Sequence, residues 1–183
     1  MDLNERVIKT EKIFDGKVVK LRVDTVELPD KKLATREVIG HPGGVGIIAL
    51  DANNDVLLVK QFRPGAKGVL LEIPAGKLEY GENPEECGRR ELIEETGFLA
   101  KEFLHLAKFY VTPAYCEEII NIYFARDLVE SKQKLDEGEF LNVIKIPFFE
   151  LYKMVVDGEV TDGKTIIAVL KVKELLERNG KNE

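Results

Sequence analysis

The segment from Gly76 to Phe98, GKLEYGENPEECGRRELIEETGF, leaves the backbone few choices. Asn83 offers an N-cap acceptor, Pro84 suits the first helical position, and Glu86 follows the cap by three. Gly97 is placed to end the helix in the left-handed conformation, with Phe98 resuming apolar contact. The spacing therefore predicts a loop from Gly76 feeding a helix of about three to four turns. Inside it Glu91, Glu94 and Glu95 fall at i, i+3 and i+4 and share one face. Like charges stacked this way repel by about 0.2–0.5 kcal/mol per pair unless a cation lies among them. Carboxylate oxygens suit hard divalent cations such as Mg²⁺, and Arg90 is placed to orient Glu94. On helix physics alone, a solvated, salt-bridged surface helix fits as well.

The chain of 183 residues is long enough for one sizeable core. Its net charge of −6 argues against a broad nucleic-acid-binding surface. An acidic protein acting on an anionic phosphate must gather positive charge locally, through metal ions and a few arginines. No apolar run reaches the roughly 18–20 residues that span a bilayer, and MDLNERVIKTEK shows no apolar leader. Cys87 and Cys116 form no zinc or disulfide spacing and read as free thiols. The expectation is a soluble cytoplasmic protein with no membrane or nucleic-acid partner.

Strands dominate the rest. Residues 5–14 and 17–28 read as a hairpin joined at Asp15-Gly16, followed by a strand over 33–38. Residues 45–50 and 56–61 flank a turn at 51–55, and 69–73 leads into a loop at Pro74-Ala75-Gly76. Beyond the helix come strands over 103–111, 119–126 and 140–146, a helix over 148–156 after Pro147, and a last helix from Thr161 or Gly163 to Arg178. Fraying is expected from Asn179 on. The order argues an α+β class with a mixed sheet, divided into an N-terminal β segment, 1–40, and a main domain, 41–183.

Gly76, Glu82, Arg90-Glu91-Leu92, Glu94-Glu95 and Gly97-Phe98 together resemble the complete signature of the Nudix hydrolases, at all nine fixed positions. The resemblance implies an α/β/α sandwich over roughly 40–178 and metal-dependent hydrolysis of a nucleoside diphosphate linked to another group. Pro113, 16 residues after Gly97, resembles the proline marking the ADP-ribose pyrophosphatase subgroup. The stretches Val59–Pro64, Leu71–Gly76 and Leu135–Phe140 are similar to that subgroup too. In it, the N-terminal β segment helps form a homodimer, often by exchange between subunits.

What the resemblance implies about roles is specific. Glu91 and Glu95 would be the principal ligands of Mg²⁺ or Mn²⁺, Glu94 a further or bridging one, and the Ala75 carbonyl an extra ligand. Glu82 would act through water or by holding Arg90. Arg63, and more weakly Arg36, would contact phosphate, for which guanidinium geometry gives paired hydrogen bonds. Glu139 is the best match to the general base, with Glu137 the alternative, and Phe14 could stack on the adenine ring of the substrate if the N-terminal segment reaches an active site. ADP-ribose leads as substrate. GDP-mannose or another sugar nucleotide is the enzymatic alternative, and a non-catalytic ADP-ribose sensor is the alternative of another class. The sensor reading wants degraded motif carboxylates, and these are complete.

Overall fold

The computed structural model describes residues 2–180 as two compact units, the first comprising residues up to Gly43 with Phe109–Ile119, the second Gly44–Lys108 with Ile120 onward. The first unit is built on an antiparallel sheet of β1 (Arg6–Asp15), β2 (Lys20–Glu27) and β3 (Leu33–Gly40). The loop within segment 109–119 is stitched to β3: Ile39 N–H donates to the Tyr115 carbonyl at 2.8 Å, and Glu117 N–H to the Ile39 carbonyl at 3.0 Å. Arg22 ties β2 to the same loop, donating to Glu117 at 2.6 Å and to the buried Asp24 at 3.0 Å.

The second unit centres on a mixed seven-stranded sheet: five strands lie in the order β10-β5-β4-β9-β8, namely β4 (Gly44–Leu50), β5 (Asp55–Arg63), β8 (Phe98–Tyr110), β9 (Ile119–Glu130) and β10 (Leu141–Pro147), and two short strands pair off this path. β4 runs parallel to β9 and is buried at every residue. Both its faces are therefore covered, as a strand between helical layers requires. Val45, Ile47 and Ala49 pack with Cys87 and Leu92 of α1 (Pro84–Thr96). The opposite face is covered by α2 (Phe148–Val156) and α3 (Gly163–Gly180), whose Phe148, Leu151, Ala168, Val169 and Val172 are buried. This is the α+β sandwich with a mixed sheet that the sequence implied.

One irregularity of this sheet places the chain beside α1. β4 and β5 pair only beside their turn, at Ala49–Leu57 and Leu50–Val56. Beyond it they diverge, β5 taking β6 (Gly68–Glu72) as its partner and β4 taking β7 (Ala75–Lys77). Ile73 and Pro74 cross the opening, with Ile47 N–H donating to the Pro74 carbonyl at 2.8 Å.

Several boundaries differ from the sequence reading. The first hairpin is joined by residues 16–19 rather than at Asp15-Gly16 alone, with Asp15 still paired to Lys20. The expected loop at Ala75-Gly76 is the strand β7, which β4 captures. β8 begins at Phe98 instead of 103, because Gly97 turns the chain straight into the sheet. β9 continues to Glu130, and β10 omits Phe140, which is 84% exposed. α3 reaches Gly180, and the rest of the expected fraying, at 181–183, lies outside the described residues.

The start of α1 is as the sequence predicts: the Asn83 side chain accepts from Glu85 N–H at 2.8 Å and Glu86 N–H at 3.4 Å. Asn83→Ala is expected to destabilise the fold by about 1 kcal/mol, and Asn83→Asp to keep most of it. Chemical denaturation of the three proteins measures the difference.

Candidate active site

α1 is anchored by its apolar face and so presents its acids at a fixed angle. Leu92 and Cys87 are fully buried against β4, while Gly97 closes the helix at φ 75°, a region that costs glycine little. On the acidic face one guanidinium serves three carboxylates. Arg90 Nη1 donates to Glu91 at 2.8 Å and Glu94 at 2.9 Å, and Nη2 to Glu82 at 3.1 Å. Glu82 also accepts from Glu79 N–H at 2.9 Å, fixing the loop ahead of the helix. Glu82 therefore holds Arg90 directly.

Glu95 is different. It is 1% exposed, and its Oε2 accepts the Ala75 N–H at 3.0 Å, joining α1 to the first residue of β7. Beside it the Glu91 side chain lies over Gly76, where a Cβ would stand 1.9 Å from the Glu91 Cδ. No side chain other than hydrogen fits there, so Gly76 is a spatial requirement of the acid face. Burial pushes the Glu95 carboxyl up to about 8; the Ala75 hydrogen bond opposes this, and the charges of Glu139 and Glu91 add to it. Burial also raises Glu91, against the pull of Arg90.

Loop 131–140 brings Glu139 toward this face because it caps the C-terminus of α1. Ser131 N–H donates to the Gly97 carbonyl at 2.7 Å, Lys134 N–H to that of Glu94 at 3.1 Å, and the Gln133 amide to that of Glu95. Gly138, at φ 84°, then turns the chain. Glu139 Oε1 accepts from Gln61 Nε2 at 3.4 Å, and its charge bears on both Glu91 and Glu95. Glu137 sits exposed on the turn itself. The Gln61 Oε1 is buried with no partner among the described residues.

Arg63, at the end of β5, is held in paired geometry by Glu72, Nε to Oε1 at 2.7 Å and Nη2 to Oε2 at 2.8 Å. Its Nη1 makes no hydrogen bond among the described residues, and its side chain remains 38% exposed. Glu72, itself 1% exposed, was given no role by sequence reasoning; the available signal was an acid inside the otherwise apolar run Val69–Ile73. Gln61 and Gln133 were missed as well, and nothing in their local sequence marks them. Phe14, Arg36 and Pro113 belong to the first unit. There Phe14 is 58% exposed, and Arg36 pairs with Glu5 at 2.5 Å.

The acid face fits a divalent cation. Its donors are all oxygen, as hard cations prefer, and it holds more negative charge than Arg90 offsets. Among the described residues no three acidic, histidine or cysteine side chains already converge in metal-ligand geometry, Glu91 and Glu94 being drawn onto Arg90.

Comparison with known proteins matches residues 40–168 to the family model for the NUDIX domain. The chain belongs to the Nudix family. Its residues 5–39 match the nucleoside diphosphate sugar hydrolase N-terminal domain. The chain is 42% identical over 179 residues to an ADP-ribose pyrophosphatase of Bacillus subtilis, covering 96% of this chain and 97% of that one. It is also 42% identical over 176 residues to a methanol dehydrogenase activator of Bacillus methanolicus, covering 94% and 95%. Its fold matches a crystal structure of an ADP compounds hydrolase with a TM-score of 0.86, covering 98% of each chain at 21% identity. The protein is thus a Nudix hydrolase, a class that generally needs divalent metal ions. Among the described residues no helix is long and apolar enough to cross a membrane.

Two outcomes follow from this geometry. Gly76→Ala is expected to push Glu91 off the face and weaken Mn²⁺ binding about tenfold or more, as titration calorimetry would show. The raised Glu95 carboxyl makes the metal-free fold bind a proton that the unfolded chain releases near 4.5. Its stabilising contribution is therefore full below that pH and lost as pH rises through about 8. Metal-free Glu95→Gln should lack this loss and melt higher than the unsubstituted protein at about pH 9. Melting curves in chelator from about pH 5 to pH 9 test the sign.

Proposed function

We propose that this Nudix hydrolase cleaves the pyrophosphate of ADP-ribose to AMP and ribose 5-phosphate, with Mg²⁺ as its working ion. The observation that carries this reading is the buried Glu95 and the Glu91 beside it, set against Ala75-Gly76 on a chain 42% identical to an ADP-ribose pyrophosphatase along nearly its whole length. The Pro113 spacing points to the same subgroup.

Glu91 and Glu95 would hold the metal, with Glu94 and the Ala75 carbonyl as further donors. Bound there, a divalent ion neutralises phosphate charge and lowers the pKa of coordinated water. Glu82 fixes Arg90, and Arg90 keeps Glu91 and Glu94 from swinging. Glu139 takes the proton of the attacking water; Gln61 holds one of its oxygens, and the Asp136 N–H meets the other at 3.4 Å. Glu137, exposed at the turn, is the weaker base. Arg63 offers its unbonded Nη1 to a phosphate oxygen of the substrate.

A homodimer belongs to this reading. Every residue of β1 is exposed, including Val7, Ile8, Ile13 and Phe14, a run of strand whose apolar side chains favour a protein partner. The same reading places the protein in the cytoplasm, where the free thiols Cys87 and Cys116 would stay reduced.

The test is product analysis with Mg²⁺ and ADP-ribose, GDP-mannose or NADH. AMP and ribose 5-phosphate should form fastest from ADP-ribose, and Glu95→Gln should abolish turnover without unfolding. Glu139→Gln should lower kcat about 10²–10⁴-fold while Mn²⁺ binding stays near that of the unsubstituted protein. Faster turnover of GDP-mannose would replace the substrate; tight ADP-ribose binding without any turnover would move the protein to the sensor class.

A further inference from the structure

Behind the proposed site lies a second set of charges. Asp162 precedes α3 and caps it: Oδ2 accepts from Thr165 N–H at 3.0 Å and from the Thr165 hydroxyl at 2.6 Å. Thr165 is fully buried, and its hydroxyl oxygen in turn accepts the Ile73 N–H at 2.8 Å. That bond holds the chain as it leaves β6, two residues before Ala75 donates to Glu95. Lys164, between them, donates to Asp162 at 2.8 Å and to Glu72 at 2.9 Å. Glu72 is the carboxylate that grips Arg63.

We propose that the turn Asp162-Gly163-Lys164-Thr165 is the positioning element of the active site, through Thr165 for the Ala75-Gly76 segment and through Lys164 and Glu72 for Arg63. Stability is a weak reason for such a set. A buried ion network gains little over apolar residues of the same volume, because desolvating the charges costs about as much as pairing them returns. What the network supplies is direction. Two carboxylates and two cations balance in charge, and three hydrogen bonds fall on Glu72 alone. Within this set Glu72 is sealed from solvent while the arginine at its end stays 38% exposed, close enough to Glu95 for their charges to interact. A guanidinium fixed on two nitrogens and open on the third is preorganised for a phosphate oxygen. None of the three turn side chains has to touch substrate for this; each acts through another residue.

The inference rests on the Nudix reading in which Arg63 meets the pyrophosphate, and its two arms can be read separately. Full-length Thr165→Val and Thr165→Ser are compared by Mn²⁺ calorimetry without substrate, with the melting temperature recorded. Thr165→Val should weaken Mn²⁺ binding about tenfold, and Thr165→Ser, which keeps the hydroxyl, should restore it. Lys164→Met and Lys164→Arg are compared by kcat and KM, alone and combined with Arg63→Met. Lys164→Met should lower kcat/KM about 10–100-fold with Mn²⁺ affinity unchanged, Lys164→Arg should recover most of it, and Lys164→Met should add nothing once Arg63 is gone. Mn²⁺ affinity and kcat/KM within about twofold of the unsubstituted values would overturn the proposal. So would losses that multiply with Arg63→Met, or losses that track melting temperature alone. The calorimetric arm needs no substrate, so an error over ADP-ribose would show in the unsubstituted enzyme and leave the Thr165 comparison intact.

Discussion

The hydrogen bond from Ala75 N–H to the buried Glu95 carboxylate is the contact on which the arrangement of the site depends. It joins a helix that packs on one face of the sheet to a three-residue strand that exists only because β4 and β5 separate. Without that separation there would be no opening for Ile73-Pro74 to cross and no place for Ala75 beside α1. A carboxylate taken out of water must be hydrogen-bonded or neutralised, and a single amide cannot satisfy its two oxygens. The remaining electrostatic deficit, worsened by Glu91 and Glu139, is what suits the face to a cation.

The acidic helix was legible from sequence because its determinants are local. An Asn cap, a proline at the first position, a left-handed glycine and acids at i, i+3 and i+4 all act within a few residues of one another. The glycine at 76 was legible as part of a motif, but its reason was not. Only the fold shows that Glu91 occupies the space where a Cβ would go. The boundaries that moved, at β7, β8 and β9, are those where pairing to a distant strand overrides local preference. Glu72 shows the same limit for a site residue: its partners are nine residues back in Arg63 and 92 residues ahead in Lys164. No window along the chain contains all three.

Charge in this unit is organised by solvent access rather than by sign alone. Arg90 is partly exposed and shared by three partly exposed carboxylates, so losing one of these contacts would leave no sealed charge unpaired. Glu72, in contrast, is sealed and carries two cations of its own. Losing either would strand part of a buried negative charge, a far larger penalty than breaking a surface pair. The first set is therefore suited to exchanging partners, the second to staying put.

That contrast bears on how the proposed base and the acid face are kept in step. The loop carrying Glu139 is tied to the end of α1: its backbone N–H groups at Ser131 and Lys134 donate to the carbonyls of Gly97 and Glu94, and the Gln133 side-chain amide donates to that of Glu95. A shift of the helix end would carry the loop with it, so the carboxylates at the centre of the face and the proposed base share one rigid reference. Among the described residues the Glu139 side chain is held only by two long hydrogen bonds of 3.4 Å, from the Gln61 amide and from the Asp136 N–H. Its anchor is fixed while its side chain is loosely held, which is the combination a proton acceptor needs if it is to close on water only when substrate and metal are in place.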